Sequence, residues 1–323
     1  MTDDSSLLRL PVVTKNRILY FCDYLEIARL RNVCHSLRNH IDLFKPDAHV
    51  KDVSVGNMEN TVIIFESDNN SKIWIGYKEA DDGCTVSCKT HMGSPPVTTI
   101  SGLDPMDVLM QDFKIYLRHL KTPLTKLKLD EVCCNPLLQM MRSQTFKLKT
   151  NKLHLSELSS SQILAILPFF DAKCLKNLII ETGEALGVFQ ELFETEYWRN
   201  ADQIRLYYFR IANVRQISHL KKFIGHISRA TATDVEFLKN TFIRSPLFKR
   251  CTMEVDVDID VLSIKEAFGA PSFDTMEGHS NRWHFHIPND TTSVLLVEVF
   301  CKKILQINRI NRSVVIPGAW IIH

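Results

Sequence analysis

The chain has 323 residues, 45% of them hydrophobic and 24% charged, which is enough apolar side chain for a substantial core and excludes a disordered polymer. A formal net charge of +2 leaves no whole-chain footprint for nucleic acid or an anionic membrane, so any partner must be recognised locally. Nine cysteines, odd in number and irregularly spaced, fit reduced thiols better than a disulfide framework.

The opening MTDDSSLLRLPVV is acidic and then only briefly apolar, unlike a secretory signal, and no apolar run approaches the ~20 residues that span a bilayer. The expectation is an intracellular chain, cytoplasmic and/or nuclear, with no membrane partner. Leu10-Pro11 opens a helical pattern with Ile18, Leu19 and Cys22, proline suiting a first turn that lacks an amide partner. Asp23 with Glu26 three residues on reads as a capping-box variant starting a second helix. Ile27, Leu30, Cys34, Leu37 and Ile41 then recur at steps of three and four along one face. With a restart at Ser36, three short helices are expected by about residue 43.

Between Pro46 and Pro96 the texture changes to the β-branched runs TVIIF and KIWIGY, separated by the turn-forming ESDNNS, with CTVSC following the turn ADDG. A small antiparallel sheet is expected there. Asp104-Pro105 caps an amphipathic helix with Leu109, Phe113, Tyr116, Leu117 and Leu120 on one side, stopped by Thr122-Pro123.

Alternating apolar strand cores follow at Leu127/Leu129, Leu153/Leu155, Leu178/Ile180, Ile204/Leu206 and Met253/Val255, with starts 26, 25, 26 and 49 residues apart; a weaker strand at 225–228 would split the last interval. This spacing sits within the ~20 to 29 residues of leucine-rich repeats, whose βα units stack to bury a continuous core. Helix signals fall between the strands: Ser159 with Gln162 before ILAIL, ended by Pro168, and Thr233 with Glu236 before FLKNTF, ended by Pro246. RWHFHIP and SVLLVEVF, joined by the turn PNDTT, read as two further strands that close the open end of the sheet. The fold class expected is α+β: a three-helix region at 8–43, a small antiparallel β linker region at 44–103, a curved leucine-rich-repeat-like βα domain at 104–300, and a C-terminal tail at 301–323.

Motifs for phosphate-loop, dinucleotide, nucleophile-elbow and zinc-protease chemistry are missing, and 11 glycines leave few flexible loops to carry one. Cys84, Cys88 and His91 lie close together, as do His284 and His286, without the four-ligand spacing of a zinc site. Asp256, Asp258 and Asp260 alternate with Val and Ile and read as the solvated face of a strand. No catalytic site, cofactor or metal is expected.

Leu10-Pro11, Ile18-Leu19, Asp23, Leu25, Leu30-Arg31, Val33-Cys34 and Ser36-Leu37-Arg38, in that order, resemble the F-box pattern, with Cys22 where leucine is usual and Tyr24 where proline often follows the aspartate. Residues from about 106 to 300, including LHLSELSSSQILAILPFFDAKCLKNLIIETGE, ETEYWRNADQIRLYYF and ATATDVEFLKNTFIRSPLFKRCTMEV, look like the FTH domain that accompanies F-boxes in a large nematode family, the F-box A type. The resemblance implies a non-catalytic substrate receptor of an SCF ubiquitin ligase. Leu10, Pro11, Ile18, Leu19, Leu30, Val33, Cys34 and Leu37 would then build or present the surface for the Skp adaptor, which bridges to a cullin, and the second domain would hold an unidentified protein substrate.

Two other readings stand beside it. Residues 9 to 41 hold Arg9, Lys15, Arg17, Arg29, Arg31 and Arg38 against Asp23 and Glu26, an excess of four positive charges that would steer an acidic partner and would equally suit DNA. A helix-turn-helix reader is disfavoured because LRNVCHSLRN lacks a cluster of Asn, Gln and Arg for base edges. The third reading is an interaction scaffold with no cullin. Opposite the inward leucines, Lys128, His154, Ile179, Arg205, Tyr207 and Glu254 would line the other sheet face, where mixed charge, an aromatic and an exposed isoleucine suit protein recognition.

Overall fold

The computed structural model describes residues 6–58, 60–67, 72–90, 93, 97–143, 146–182, 187–274 and 279–322. The chain divides into two compact units, 1–154 with 165–174, and 155–164 with 175–323.

The first unit opens with α1 (Ser6–Arg9), α2 (Val12–Phe21), α3 (Tyr24–Arg31) and α4 (His35–Phe44), the three expected helices plus one preceding turn. Pro11 stands at the N-cap of α2. The capping box at α3 is present in full: Asp23 Oδ1 accepts from the Glu26 amide at 2.8 Å, and Glu26 Oε2 accepts from the Asp23 amide at 2.8 Å. Leu19, Ile27, Leu37 and Ile41 form the buried core of these helices.

Strands β1 (Val50–Met58), β2 (Asn60–Ser67), β3 (Lys72–Ala80), β4 (Gly83–Thr90) and β5 (Thr98–Ser101) pair antiparallel in sequence order. Most of the ESDNNS turn, with His91, lies outside the described residues. The capped helix follows as α5 (Pro105–Arg118), with Asp104 Oδ1 accepting from the Met106 amide at 2.7 Å, and leads into β6 (Leu124–Asp130). The β-rich region is not a linker. On its other edge β1 pairs parallel with β6, Val53 opposite Leu127 and Val55 opposite Leu129, and all four side chains are buried. A parallel partner needs a long crossover, here through α5, so 44–103 and the first repeat strand share one sheet. Gly56 allows this approach, since a Cβ there would meet the Asp130 carboxylate at 3.2 Å.

After β6 comes α6 (Glu131–Arg142), a helix that sequence patterning does not announce because Pro136 stands inside it. Its buried face carries Cys133, Cys134, Leu137 and Met141. Burial pushes the Cys133 thiol up to about 12 and that of Cys134 up to about 11. All nine cysteines are unpaired with one another; four are buried and Cys301 is exposed.

The division runs through β7 (Thr150–Ser156) and α7 (Ser160–Ile166). The Ser159–Gln162 box caps α7, and Pro168 sits in the 3₁₀ turn that ends it. The second unit continues with β8 (Asn177–Glu181), β9 (Gly187–Val188), α8 (Gln190–Phe193), α9 (Glu196–Asn200), β10 (Gln203–Ile211), β11 (Lys222–Ile227), α10 (Ala232–Arg244), β12 (Arg250–Val255) and α11 (Val261–Phe268). β8, β10, β11 and β12 pair parallel in that order, as repeated βα units require. β11 is weak in sequence because its inward positions are Phe223, Gly225 and Ile227, and the Phe223 ring occupies the space a Cβ at 225 would need.

Two local expectations shift. The box at α10 is Thr231 with Asp234, two residues before the Thr233–Glu236 pair, because this start turns Val235, Leu238 and Phe242 inward together. Asp256, Asp258 and Asp260 do not share a strand face, since β12 ends at Val255. Asp256 pairs with Arg210 at 2.6 Å, Asp258 with Lys303 at 2.9 Å, and Asp260 caps α11.

The rest of the unit is β13 (Phe273–Asp274), β14 (Ser280–Ile287), β15 (Asp290–Phe300), β16 (Ile304–Asn311) and β17 (Ile321–Ile322). β14, β15 and β16 form an antiparallel meander, and β16 pairs antiparallel with β12. The parallel series is therefore closed by a strand from 301–323, the segment read as a tail, rather than by 282–288 or 293–300. Leu305 and Ile307 explain this, since both are fully buried.

Ending the chain after Phe300 should strip β12 and β15 of their shared neighbour and remove two side chains worth about 1.5–3 kcal/mol each. The expected result is loss of the cooperative unfolding transition of this unit in urea; a truncated chain with the parent midpoint would contradict it. At the β14–β15 corner the Asp290 carboxylate accepts from Thr292 and Ser293 and pairs with Arg309 at 2.9 Å. The Thr292 hydroxyl, foremost among these donors, holds its proton affinity down to about 2 from the ordinary 3.8. A depressed carboxyl stabilises the fold above its ordinary value and loses that contribution as pH falls to about 2. Asp290→Ala should accordingly be less stable than the parent at neutral pH, with the difference shrinking across that window in pH-dependent denaturation.

Candidate protein-binding surface

Helix α2 turns Leu19 inward and leaves Val12, Val13, Tyr20 and Phe21 outside, with Val13 80% and Phe21 68% exposed. The Arg17 guanidinium lies 5.0 Å from the Phe21 ring centre and 5.8 Å from that of Tyr20, and the two rings meet edge to face. Val33, in the turn between α3 and α4, is 65% exposed, and Leu43 near the end of α4 is 84% exposed. Short helices with so few core positions leave these apolar side chains in water.

Of the eight residues expected at the adaptor surface, Pro11, Ile18 and Val33 are exposed, while Leu10, Leu30 and Cys34 are half-buried. Leu19 and Leu37 lie in the helical core, the place of residues that build a surface rather than present it. The three-and-four spacing that runs from Ile27 through Leu37 to Ile41 marks the seam facing the other helices. Val12, Val13, Tyr20, Phe21 and Leu43 fall off that seam, and large apolar side chains off a seam were the signal for them.

The basic excess is smaller than the 9–41 window suggested. Asp42, just beyond it, takes Arg31 in two contacts, Nε to Oδ1 at 2.5 Å and Nη2 to Oδ2 at 2.9 Å. The guanidinium holds the Asp42 carboxyl below its ordinary range. Arg38 turns onto the Arg31 carbonyl at 3.0 Å.

Tyr24, in the position that departs from the F-box pattern, packs edge to face on Tyr116 of α5 with ring centres 5.3 Å apart. Burial raises its proton affinity, so the phenol stays neutral. The Ala48 amide donates to the His119 carbonyl at 3.0 Å, and His49 Nε2 stands 2.8 Å from the Tyr20 carbonyl. The helices are therefore seated on the rest of their own unit.

In the second unit, register places Ile179, Arg205, Ile224 and Thr252 in one row across β8, β10, β11 and β12. Tyr207 and Glu254 point to the same side by alternation, Glu254 standing 3.6 Å from His226 Nδ1. Arg205 and Glu254 are exposed and Tyr207 is half-buried. Ile179 is buried, 8% exposed, against expectation, because β8 reads Leu178-Ile179-Ile180 and a parallel strand can be covered on both faces. Lys128 on β6 and His154 on β7 belong to the first unit, both half-buried.

β10 carries a register break between Arg205 and Arg210. Within it Tyr208 is 58% exposed and sits in the left-handed region at φ 70°. The sequence holds the signal, since the inward residues Ile204 and Leu206 are followed by Phe209 and Ile211, with one residue too many between.

Among the described residues there is no group of three or more His, Cys, Asp or Glu arranged to hold a metal ion. His284 is buried with Nδ1 2.7 Å from Ser272 Oγ. No described helix is long and apolar enough to cross a membrane. No curated protein and no solved structure matches the chain. Residues 7–49 match the family model of the F-box domain and residues 131–272 that of the FTH domain, so the chain carries an F-box domain followed by an FTH domain.

Proposed function

We propose that the chain is the substrate-recognition subunit of an SCF-type E3 ubiquitin ligase, of the nematode F-box A type, working in the cytoplasm and/or nucleus. Its helices α2 to α4 bind the Skp adaptor, and through it a cullin, while the FTH region takes the protein to be ubiquitinated. The observation that carries this reading is the apolar surface left on an F-box whose core is already filled: Pro11, Val12, Val13, Phe21 and Val33 are exposed on helices held together by Leu19, Ile27, Leu37 and Ile41. Leu10, Ile18, Leu30 and Cys34 border that surface, and Leu19 and Leu37 shape it from within. The chain itself performs no bond chemistry on this reading; thioester transfer belongs to the E2 enzyme that the cullin recruits.

For the target, the reading favours the β10–β12 face, with Arg205, Tyr207 and Glu254 joined by Tyr208. An aromatic held out in a left-handed backbone is a conformation the fold must maintain at a cost, as binding residues often require. Lys128 and His154 extend the candidate set in the first unit. The repeat-like series of βα units is the scaffold for that face.

Two measurements test this. Purified Skp adaptor should bind the full chain, and Val13→Asp with Phe21→Asp should weaken that binding by about two orders of magnitude, with a thermal midpoint close to the parent because both sites are exposed. A folded parent chain that fails to bind the adaptor would sink the ligase reading. Tyr208→Gly should match or exceed the parent in stability, by up to about 1 kcal/mol, since glycine adopts a positive φ without strain. The same variant should recover fewer ubiquitin-modified proteins in an adaptor-bound pull-down; a destabilised variant with undiminished recovery would make Tyr208 a packing residue instead.

A further inference from the structure

A cavity of about 340 Å³ in the first unit is lined by Lys45, Arg118, Lys121, Lys147 and Lys149, with Thr122 beside them. Among the described residues that line it there is no aspartate or glutamate. Three separate segments bring the cations together: the end of α4, the end of α5 with the turn after it, and the extended stretch 146–149 before β7. Helix termini account for part of this. Lys45 follows α4 in the left-handed conformation at φ 50°, and Arg118 stands in the last turn of α5, where carbonyl ends favour positive charge. Lys147 and Lys149 sit on no helix, so helix dipoles do not explain their convergence on the same space.

Two carboxylates near these cations are engaged elsewhere. Asp42, in the smaller cavity that Lys45 and Arg118 also line, is taken by Arg31. Asp171 accepts from the Lys173 amide at 2.9 Å, which does most to lower its proton affinity, with Lys149 a smaller contributor. Lys121 lies 5.1 Å from the Phe44 ring centre, which restrains its ammonium at the wall. Leu117, Leu120 and Leu148 form an apolar floor, where charges attract an anion more strongly than in open water.

We propose that this cavity binds a compact ligand carrying several clustered phosphate groups. One carboxylate would leave most of the charge of Lys45, Arg118, Lys121 and Lys149 unneutralised, whereas each phosphate monoester brings about −1.5 to −2 at neutral pH and three acceptor oxygens. Arg118 supplies the planar fork that meets two phosphate oxygens at once, the lysines supply point charges, and Thr122 supplies a hydroxyl. The volume is at the small end of the ~300–1,000 Å³ range of ligand cavities, which suits a single small molecule or headgroup rather than a nucleic-acid strand.

The test is calorimetric titration of the full chain with tripolyphosphate and with inositol hexakisphosphate, beside flotation with phosphatidylcholine vesicles with and without phosphatidylinositol bisphosphate. Saturable binding of either soluble probe is expected, weakened about tenfold or more by Lys121→Gln with Lys149→Gln and by raising salt to about 0.5 M. Lys72→Gln with Lys78→Gln, on β3, controls for net charge and should leave binding as in the parent. Circular dichroism and the thermal midpoint establish that each variant is folded. Flotation only with the phosphoinositide, lost in the same cavity variant, would assign the phosphates to a lipid headgroup; binding of the soluble probes alone would assign them to a free metabolite. No binding of any probe, or binding that the cavity variant and the β3 control weaken equally, would overturn the proposal.

Discussion

Four buried side chains, Leu19, Ile27, Leu37 and Ile41, hold the N-terminal helices together, and much of what the first unit does follows from how little they can cover. A segment of this length buries too small a fraction of its surface to be stable alone. It is therefore supported on one side and open on another. The support comes from the edge-to-face contact of Tyr24 with Tyr116 and from the backbone link between Ala48 and His119, which fasten α3 and the strand entry to α5. The open side keeps Val13, Phe21 and Val33 in water, where only a partner would cover them.

Legibility in the sequence followed the strength of local chemistry. The boxes at Asp23–Glu26 and Ser159–Gln162 and the cap at Asp104 were readable because each needs only a few adjacent residues to satisfy its own amides. The leucine pairs of β6, β7, β8, β10 and β12 were readable because alternation is also local. The parallel pairing of β1 with β6 was not, since its register joins residues some 74 positions apart, as in Asp52 opposite Lys126. Nothing near Val53 specifies that neighbour. The place of β16 beside β12 was hidden for the same reason, and α6 was hidden by a proline that a well-buried face outweighs.

The candidate surface divided along similar lines. Periodicity identified which residues belong to the helical seam, but a seam names the side that packs inward as readily as the side that binds. Leu19 and Leu37 show the consequence, being central to the F-box resemblance and buried in the helical core. Electrostatics were blurred by the choice of window: Asp42 cancels Arg31 from just beyond its edge. The converging cations of Lys45, Arg118, Lys121 and Lys149 were invisible for the opposite reason, because each stands among ordinary neighbours in sequence and only the fold gathers them.

Tyr24 replaces a residue type that would have made the helix entrance stiff with one that makes it attached. Proline after the capping aspartate would fix φ at the start of α3 and add nothing beyond that turn. Tyrosine gives up that restriction while the capping box still fixes the turn, and its ring reaches Tyr116, which is itself fully buried and stacked on Phe113 at 5.8 Å between ring centres. The helix is thus tied to the element that leads into β6 rather than to its own first turn alone. On the proposed reading this matters mechanically: a receptor holds its target at a useful distance from the ligase only if the adaptor-facing helices do not swing freely, since a slack joint lowers the effective concentration of one bound partner near the other. The departure from the F-box pattern at Tyr24 is then a gain in rigidity within the first unit, made from the same side chain that sequence comparison alone would count as a weakened match.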